Sequence, residues 1–284
     1  MRLALIQQSN SSDLHQNLEK TLASIRQAAA EGAQVICLQE LFNTLYFCID
    51  YDESAFAHAE SLEGPTLQRL RQEAASLGVV LVVPFFEKRA PGVYHNSAVV
   101  YDADGSVAGF YRKMHIPDDP GFCEKYYFTP GDTGYQVAHT AFGKLGMLIC
   151  WDQWFPEAAR LTAMKGAEVL IYPTAIGVLA HETPQQQQEF RDAWQTIQRS
   201  HGIANGCFVA AINRVGTENG TQFWGGSFVS GPFGEWIAQA GEQEAILHAT
   251  IDPAVLDEHR RTWPFFRDRR IDSYGELTQR MLDV

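Results

Sequence analysis

Three residues of this chain carry groups that could work together if the fold gathers them: Cys150, Glu40 and Lys113. Cys150 closes the apolar run "KLGMLIC" and precedes "WDQWFPEAAR". This places a thiol at a strand-to-helix connection, where α/β folds present reactive groups at the carboxyl edge of a sheet, toward solvent. Backbone N–H groups of such a turn point past the sulfur and can bond a developing oxyanion. A free thiol, with a pKa of about 8.5, is only a few per cent thiolate near neutrality and needs a base. Glu40 ends the run "VICLQE", where a carboxylate after Ile-Cys-Leu is out of place on a buried strand. Lys113 ends "GFYRK"; an ammonium there would lower the thiol's pKa and stabilise an anionic tetrahedral intermediate. Each residue also has an ordinary reading, as a small buried hydrophobe, a solvated strand end and a surface lysine on a hairpin.

The elements that must position these groups follow from hydrophobic periodicity. Short β-branched runs alternate with longer amphipathic stretches, which predicts an α/β fold. Strands are expected at 2–8, 34–40, 79–87, 95–102, 107–113, 144–150, 167–173, 207–214, 225–231, 235–240 and 244–251. Leu14, Leu18, Leu22, Ile25 and Ala29 share a helical face after a capping Ser12 or Asp13. Two further helices, "TLQRLRQEAASLG" and "PEAARLTAMKG", end in glycine, and the run from Gln185 opens another through Trp194 and Ile197. Hairpins are expected at Asp104-Gly105 and around Pro232-Phe233-Gly234. Residues 1–284 show no linker-like shift in composition and read as one domain, with a core over 2–252 and a basic, aromatic arm over 253–284. That arm is expected to pack on a neighbouring subunit or on the domain's own surface.

Composition narrows the function classes. The 284 residues, 45% hydrophobic and 20% charged, suit a soluble globular protein. The formal net charge of −12 argues against general binding to nucleic acid or anionic membranes, which need clustered cations. The start "MRLALIQQSN" lacks the apolar length of a signal peptide or membrane span, so a cytoplasmic protein is expected. Five scattered cysteines without a Cys-x-x-Cys pair favour free thiols over disulfides or a zinc site. Neither Gly-x-Ser-x-Gly nor His-Glu-x-x-His occurs, so serine and metal hydrolysis find no support.

Taken jointly, "LQELFNTLYF", "YRKMHIPDD" and "ICWDQWFPEAAR" resemble the three signature blocks of the nitrilase superfamily of carbon–nitrogen hydrolases, with "GAEVLIYPTA" and "AAINRVG" matching further segments. The resemblance implies a four-layer α-β-β-α sandwich, homo-oligomers, no metal or organic cofactor, and a Glu-Lys-Cys triad mapped onto Glu40, Lys113 and Cys150. It also implies that Glu124 matches a second family glutamate that bonds Lys113 or positions substrate. Within this frame the Trp151 backbone N–H helps Lys113 to hold the oxyanion, and His115 is a candidate for the same supporting shell.

The superfamily divides among nitriles, amides and N-carbamoyl compounds, so the triad does not choose a substrate. Branches acting on N-carbamoyl amino acids tend to place arginine after the nucleophile to grip a carboxylate. This chain instead has Asp152 between Trp151 and Gln153-Trp154, with Asp118 and Asp119 after the lysine and Glu182 in "TAIGVLAHETPQQQQ". Carboxylates beside the aromatic faces of Tyr46, Trp151, Trp154 and Tyr172 suit an alkyl ammonium, and Thr174 and Ala175 complete the expected substrate-binding set. The expected partner is a small cationic N-carbamoyl amine. The longer strings "YRKMHIPDDPGFCEKYYFTPGDTGY" and "YPTAIG" are similar to the superfamily branch that releases a diamine from such a compound. The alternatives are an amidase or ω-amidase acting on another small amide, and an inactive relative serving as an assembly module.

Overall fold

Alternation along the central strands sorts the side chains into layers. The computed structural model describes residues 1–179 and 181–282. Ala4, Ile6, Ile36, Leu38, Leu81 and Val83 pack together with Leu22, Ile25, Leu67, Leu70 and Ala74 from two helices. Their strand neighbours Leu3, Leu5, Val35, Cys37, Val80 and Val82 point the other way, into a core shared with Leu145, Met147, Val169, Ile171 and Val209. Two apolar faces on one sheet demand cover on both sides, and the chain provides it with helices outside and a second sheet inside.

The first sheet runs in the order β15 (Ala245–Thr250), β1 (Arg2–Gln7), β2 (Val35–Leu38), β3 (Val80–Ala90), β4 (Val93–Tyr101) and β5 (Val107–Arg112). The second runs β14 (Trp236–Gln239), β13 (Phe228–Ser230), β10 (Phe208–Ile212), β8 (Val169–Pro173), β7 (Gly143–Met147) and β6 (Gln136–Thr140). Each has a parallel trio at its centre, β1-β2-β3 and β7-β8-β10, flanked by antiparallel strands. A small antiparallel sheet of β11 (Val215–Glu218), β12 (Thr221–Trp224) and β9 (Gly177–Leu179) stands beside them. Helices α1 (Leu14–Ala30) and α2 (Pro65–Leu77) cover the first sheet, and α3 (Pro156–Met164) and α4 (Pro184–Asn205) pack on the second. The result is the expected α-β-β-α sandwich.

The local signals explain the boundaries. Asp13 caps α1 by accepting from the Gln16 N–H at 3.0 Å, and Thr183 with Gln186 forms a reciprocal capping box on α4. Gly78 ends α2 at a positive φ of 65°. The eleven strand stretches and both hairpins expected from sequence are present. The strands β6, β9, β11 and β12 were not expected; they are short, and "QVAHT", "VGTE" and "TQFW" mix polar and apolar residues without a clear period. Beyond β15, α5 (Val255–Thr262) and the following segment lie along the chain's own surface. There Arg260 donates to the carbonyls of Gly206 and Ala167 at 3.0 and 3.2 Å, and Arg160 stacks over Phe266.

Candidate active site

The two sheets bring Glu40, Lys113 and Cys150 together from three separate connections. Strand β2 ends at Leu38, so Glu40 lies two residues past it in a turn, not on the strand itself. Lys113 directly follows β5, its N–H bonded to the Asn96 carbonyl at 2.8 Å. Cys150 begins a 3₁₀ turn, Cys150–Trp154, three residues past β7 and just ahead of α3. Two of the three described non-glycine residues with positive φ fall at these corners, Cys150 at 44° and Leu41, next to Glu40, at 48°. Such backbone is costly for a residue with a Cβ and persists only where its surroundings impose it.

Lys113 is fully buried, and its ammonium donates to Glu40 Oε1 at 2.8 Å and to Glu124 Oε2 at 2.6 Å. Burial works against that charge, but the Glu124 and Glu40 carboxylates and the neighbouring Cys150 outweigh it and raise its pKa well above the ordinary lysine value. Glu124, equally buried, is pushed up to about 7, because burial and the charge of Glu40 outweigh the pull of Lys113. Its second oxygen accepts from the Tyr46 hydroxyl at 2.9 Å. Glu40 Oε1 also accepts from Asn96 Nδ2 at 2.7 Å, while its Oε2 is buried without a hydrogen-bond partner among the described residues.

Cys150 is buried, 4% exposed, with its sulfur 4.0 Å from the Ala175 carbonyl. Two expectations about it need correcting. The thiol is not held out to solvent at a sheet edge. Nor is its pKa lowered: burial and the charge of Glu40 raise it well above the usual thiol value, and the opposing pull of Lys113 is the smaller effect. The resting group is therefore a neutral thiol beside a carboxylate, an arrangement that favours proton transfer during attack over a standing thiolate.

Asp152, expected to face a substrate amine, is committed elsewhere. Its Oδ1 accepts from the His115 N–H at 3.1 Å and lies 2.7 Å from His115 Nδ1; its Oδ2 accepts from Tyr111 Oη at 2.7 Å and the Ile149 N–H at 2.9 Å. Four partners fill a carboxylate's acceptor sites, so Asp152 braces the nucleophile's turn and has none left for a ligand. His115 acts through that brace, stacked at 3.8 Å on Phe155. Burial, reinforced by the charge of Asp152, raises the Tyr111 pKa well above its normal value and keeps this hydroxyl a donor.

The remaining expected substrate residues divide. Tyr172 is core, 6.2 Å from the His201 ring, and the buried Thr174 hydroxyl is within hydrogen-bond reach of Gln153 Oε1 and the Tyr172 carbonyl. Both side chains are fully buried. Tyr46 is buried between the rings of Phe122 and Phe223 and reaches Glu124, whereas Ala175 offers its carbonyl to the sulfur. Trp151 and Trp154 are half-buried, and Trp154 stacks on Phe190 at 5.7 Å. The Trp151 N–H lies in the first turn of a 3₁₀ segment, where backbone donors lack intrahelical partners. Asp118 and Asp119 are exposed, and half-buried Glu182 uses Oε2 to accept from the Leu179 N–H at 2.8 Å. Their loops abut: Gly121 lies so close to Leu179 that an added Cβ would meet Leu179 Cδ2 at 2.8 Å. Glu182 and the segment carrying Asp118 and Asp119 thus lie on adjoining loops.

Asn96, Tyr111, Arg214 and Glu218 were not singled out from sequence. Arg214 had a visible signal, an arginine closing the apolar strand "FVAAIN". Among the described residues, no group of three or more His, Cys, Asp or Glu side chains has metal-holding geometry, and no helix is long and apolar enough to cross a membrane.

A family model described as carbon-nitrogen hydrolase matches residues 2–261. The chain is 45% identical to the N-carbamoylputrescine amidase of Arabidopsis thaliana, over 94% of this chain and 91% of the relative. It is 41% identical to a citrullinase of Francisella tularensis over 99% of both chains. The crystal structure of a carbon-nitrogen hydrolase from Helicobacter pylori superposes with a TM-score of 0.97 at 46% identity, over 99% of each chain.

Proposed function

The chain belongs to the carbon–nitrogen hydrolase family and is an enzyme that hydrolyses C–N bonds, and from that premise we propose that it converts N-carbamoylputrescine to putrescine, CO₂ and ammonia. The observation that carries the reading is the buried Lys113 bridging Glu40 and Glu124 beside Cys150. The likeness to N-carbamoylputrescine amidases supports the substrate.

In this mechanism Glu40 Oε2 takes the thiol proton as the sulfur attacks the ureido carbon. The new oxyanion is held by the Lys113 ammonium and the Trp151 N–H. Collapse breaks the C–N bond to the diamine nitrogen, which leaves with the proton from Glu40, and Cys150 retains a carbamoyl group as an S-thiocarbamate. Glu40 then deprotonates a water that attacks the carbamoyl carbon. The thiol regains its proton, and the released carbamate falls apart to CO₂ and ammonia. Glu124 holds Lys113 in place and takes no proton in either half.

The ammonium end of the substrate is assigned to the rim of Asp118, Asp119 and Glu182, with Trp151 and Trp154 as apolar walls. Support comes from the abutting loops, the formal charge of −12, and the saturation of Asp152, which turns the assignment to the other acids named from sequence. A cytoplasmic enzyme of polyamine synthesis follows from the substrate. A homo-oligomer is supported by exposed Leu161 and Met164 on α3, Ile203 on α4, and Ile271, Leu277 and Met281 on the arm. The resemblance supports the absence of a resident metal or organic cofactor.

A second reading is favoured by the citrullinase relative, because citrulline carries the same ureido head on an alkyl chain that ends in both an ammonium and a carboxylate. Ammonia release from N-carbamoylputrescine, citrulline and α-ketoglutaramate separates the cases. Preference for the first compound supports the reading; turnover of only the carboxylate-bearing compounds overturns it.

A further inference from the structure

We infer that Arg214, locked by Glu218, is a positioning residue that holds the general base Glu40 in register with Cys150; the inference rests on the catalytic roles proposed above. The backbone after β2 lacks sheet partners. Strand β2 ends at Leu38, and the turn that follows carries Leu41 at a φ of 48°. Carbonyls in such a turn leave the sheet ladder inside the protein, where an unpaired acceptor is costly.

Arg214 supplies the missing donors. Its Nη2 donates to the Glu40 carbonyl at 2.8 Å and the Leu41 carbonyl at 2.9 Å. Its Nη1 donates to Glu218 Oε2 at 2.8 Å and the Thr44 carbonyl at 3.3 Å. The guanidinium is completely buried, 5.3 Å over the Phe223 ring and 5.9 Å from that of Tyr46. Glu218 neutralises it and uses the same oxygen to accept from the Tyr46 N–H at 2.6 Å. One ion pair from the β10–β11 region thereby fixes the backbone of both Glu40 and Tyr46, and Tyr46 in turn holds Glu124.

The geometry explains why the group is arginine. A planar fork satisfies carbonyls at Glu40, Leu41 and Thr44 while still pairing with Glu218, whereas an ammonium is a point charge without that fixed spread. The guanidinium spends its hydrogen bonds on Glu218 and on the main chain at Glu40, Leu41 and Thr44, and none goes to the Cys150 sulfur. Its effect on the chemistry must therefore pass through where the Glu40 carboxylate stands, which Lys113 and Asn96 fix at Oε1 and the backbone fixes at its root.

The test uses alkylation of Cys150 by iodoacetamide, which needs no knowledge of the substrate, across a pH series and with folding checked by circular dichroism. Arg214→Lys keeps the charge and is expected to slow alkylation at neutral pH about 10- to 100-fold, the size of effect that a misplacement of about 1 Å produces. The pH limb should move upward, toward the range where the thiol ionises unaided. Glu218→Gln, which retains an acceptor for the fork, should show the same change in milder form and carries the test if Arg214→Lys does not fold. In a Glu40→Gln background neither substitution should slow alkylation further. If wild type depends on Glu40 but Arg214→Lys and Glu218→Gln leave the pH limb unmoved, or slow the Glu40→Gln protein equally, the positioning role is overturned while the catalytic reading stands. If Glu40→Gln alkylates as fast as wild type, the general-base reading falls and takes this inference with it.

Discussion

Lys113 Nζ stands 2.8 Å from one oxygen of Glu40, Oε1, and leaves the other, Oε2, buried and unpartnered among the described residues. A carboxylate divided in this way is anchored by one atom and reactive at the other. The cost of leaving a buried acceptor unpaired, about 1–3 kcal/mol, is tolerable where a passing proton will meet it.

That division makes Glu40→Gln the sharpest single change to the chemistry. The amide keeps the shape and an acceptor for Lys113 but cannot take the thiol's proton. Steady-state ammonia release should show kcat lower by about 10²–10⁴-fold with KM little altered. A variant retaining wild-type kcat would remove Glu40 from the reaction.

Glu124 gives the protein a pH signature. Its pKa rises from 4.5 to about 7 on folding, so the folded state holds the proton more tightly than the unfolded chain. The associated stability is fully present below about pH 4.5 and is lost as pH rises through about 7. Guanidinium unfolding of wild type and Glu124→Gln at pH 5 and pH 7.5 isolates this contribution. The drop between the two pH values should be larger in wild type, and identical drops would exclude the shift.

The brace on the nucleophile's turn predicts a different kinetic pattern for Asp152. In Asp152→Asn one oxygen becomes an NH₂ group, which cannot accept from Tyr111 and the Ile149 N–H or from His115. Stability should fall by about 1–3 kcal/mol and kcat should fall, with KM for N-carbamoylputrescine unchanged. A rise in KM confined to substrates bearing an ammonium would return Asp152 to the amine pocket.

The rim acids carry the opposite expectation. Glu182→Gln retains an acceptor for the Leu179 N–H but loses the charge, so KM for N-carbamoylputrescine should rise by about two- to fivefold. KM for N-butylurea, which has the same ureido head and no ammonium, should not change. Equal effects on both compounds would place the ammonium elsewhere, with Asp118→Asn and Asp119→Asn the next variants to measure.

Much of this site is legible in the sequence because its chemistry is tied to short local blocks. Glu40, Lys113, Glu124 and Cys150 each follow an apolar strand or lie in a recognisable loop, and strand identity follows from β-branched runs. What sequence could not reveal are contacts made across the sandwich. Asp152 reads as a free acid beside tryptophans until its carboxylate is seen to fold back on Ile149 and across to Tyr111, 41 residues away. Arg214 meets the Glu40 carbonyl across 174 residues, a pairing that no local period encodes. Sequence likewise identifies Lys113, which does pull the Cys150 pKa down, but not the burial that outweighs it.

The central claim is that Cys150 carries the substrate's carbamoyl group covalently. Rapid acid quench of enzyme mixed with N-carbamoylputrescine, followed by peptide mass analysis, tests it most directly. The account predicts a carbamoyl adduct confined to the peptide containing Cys150, formed and lost at rates consistent with turnover and absent from Cys150→Ala, which should release no ammonia. Turnover by Cys150→Ala, or a carbamoyl adduct on a different residue during wild-type turnover, would contradict it.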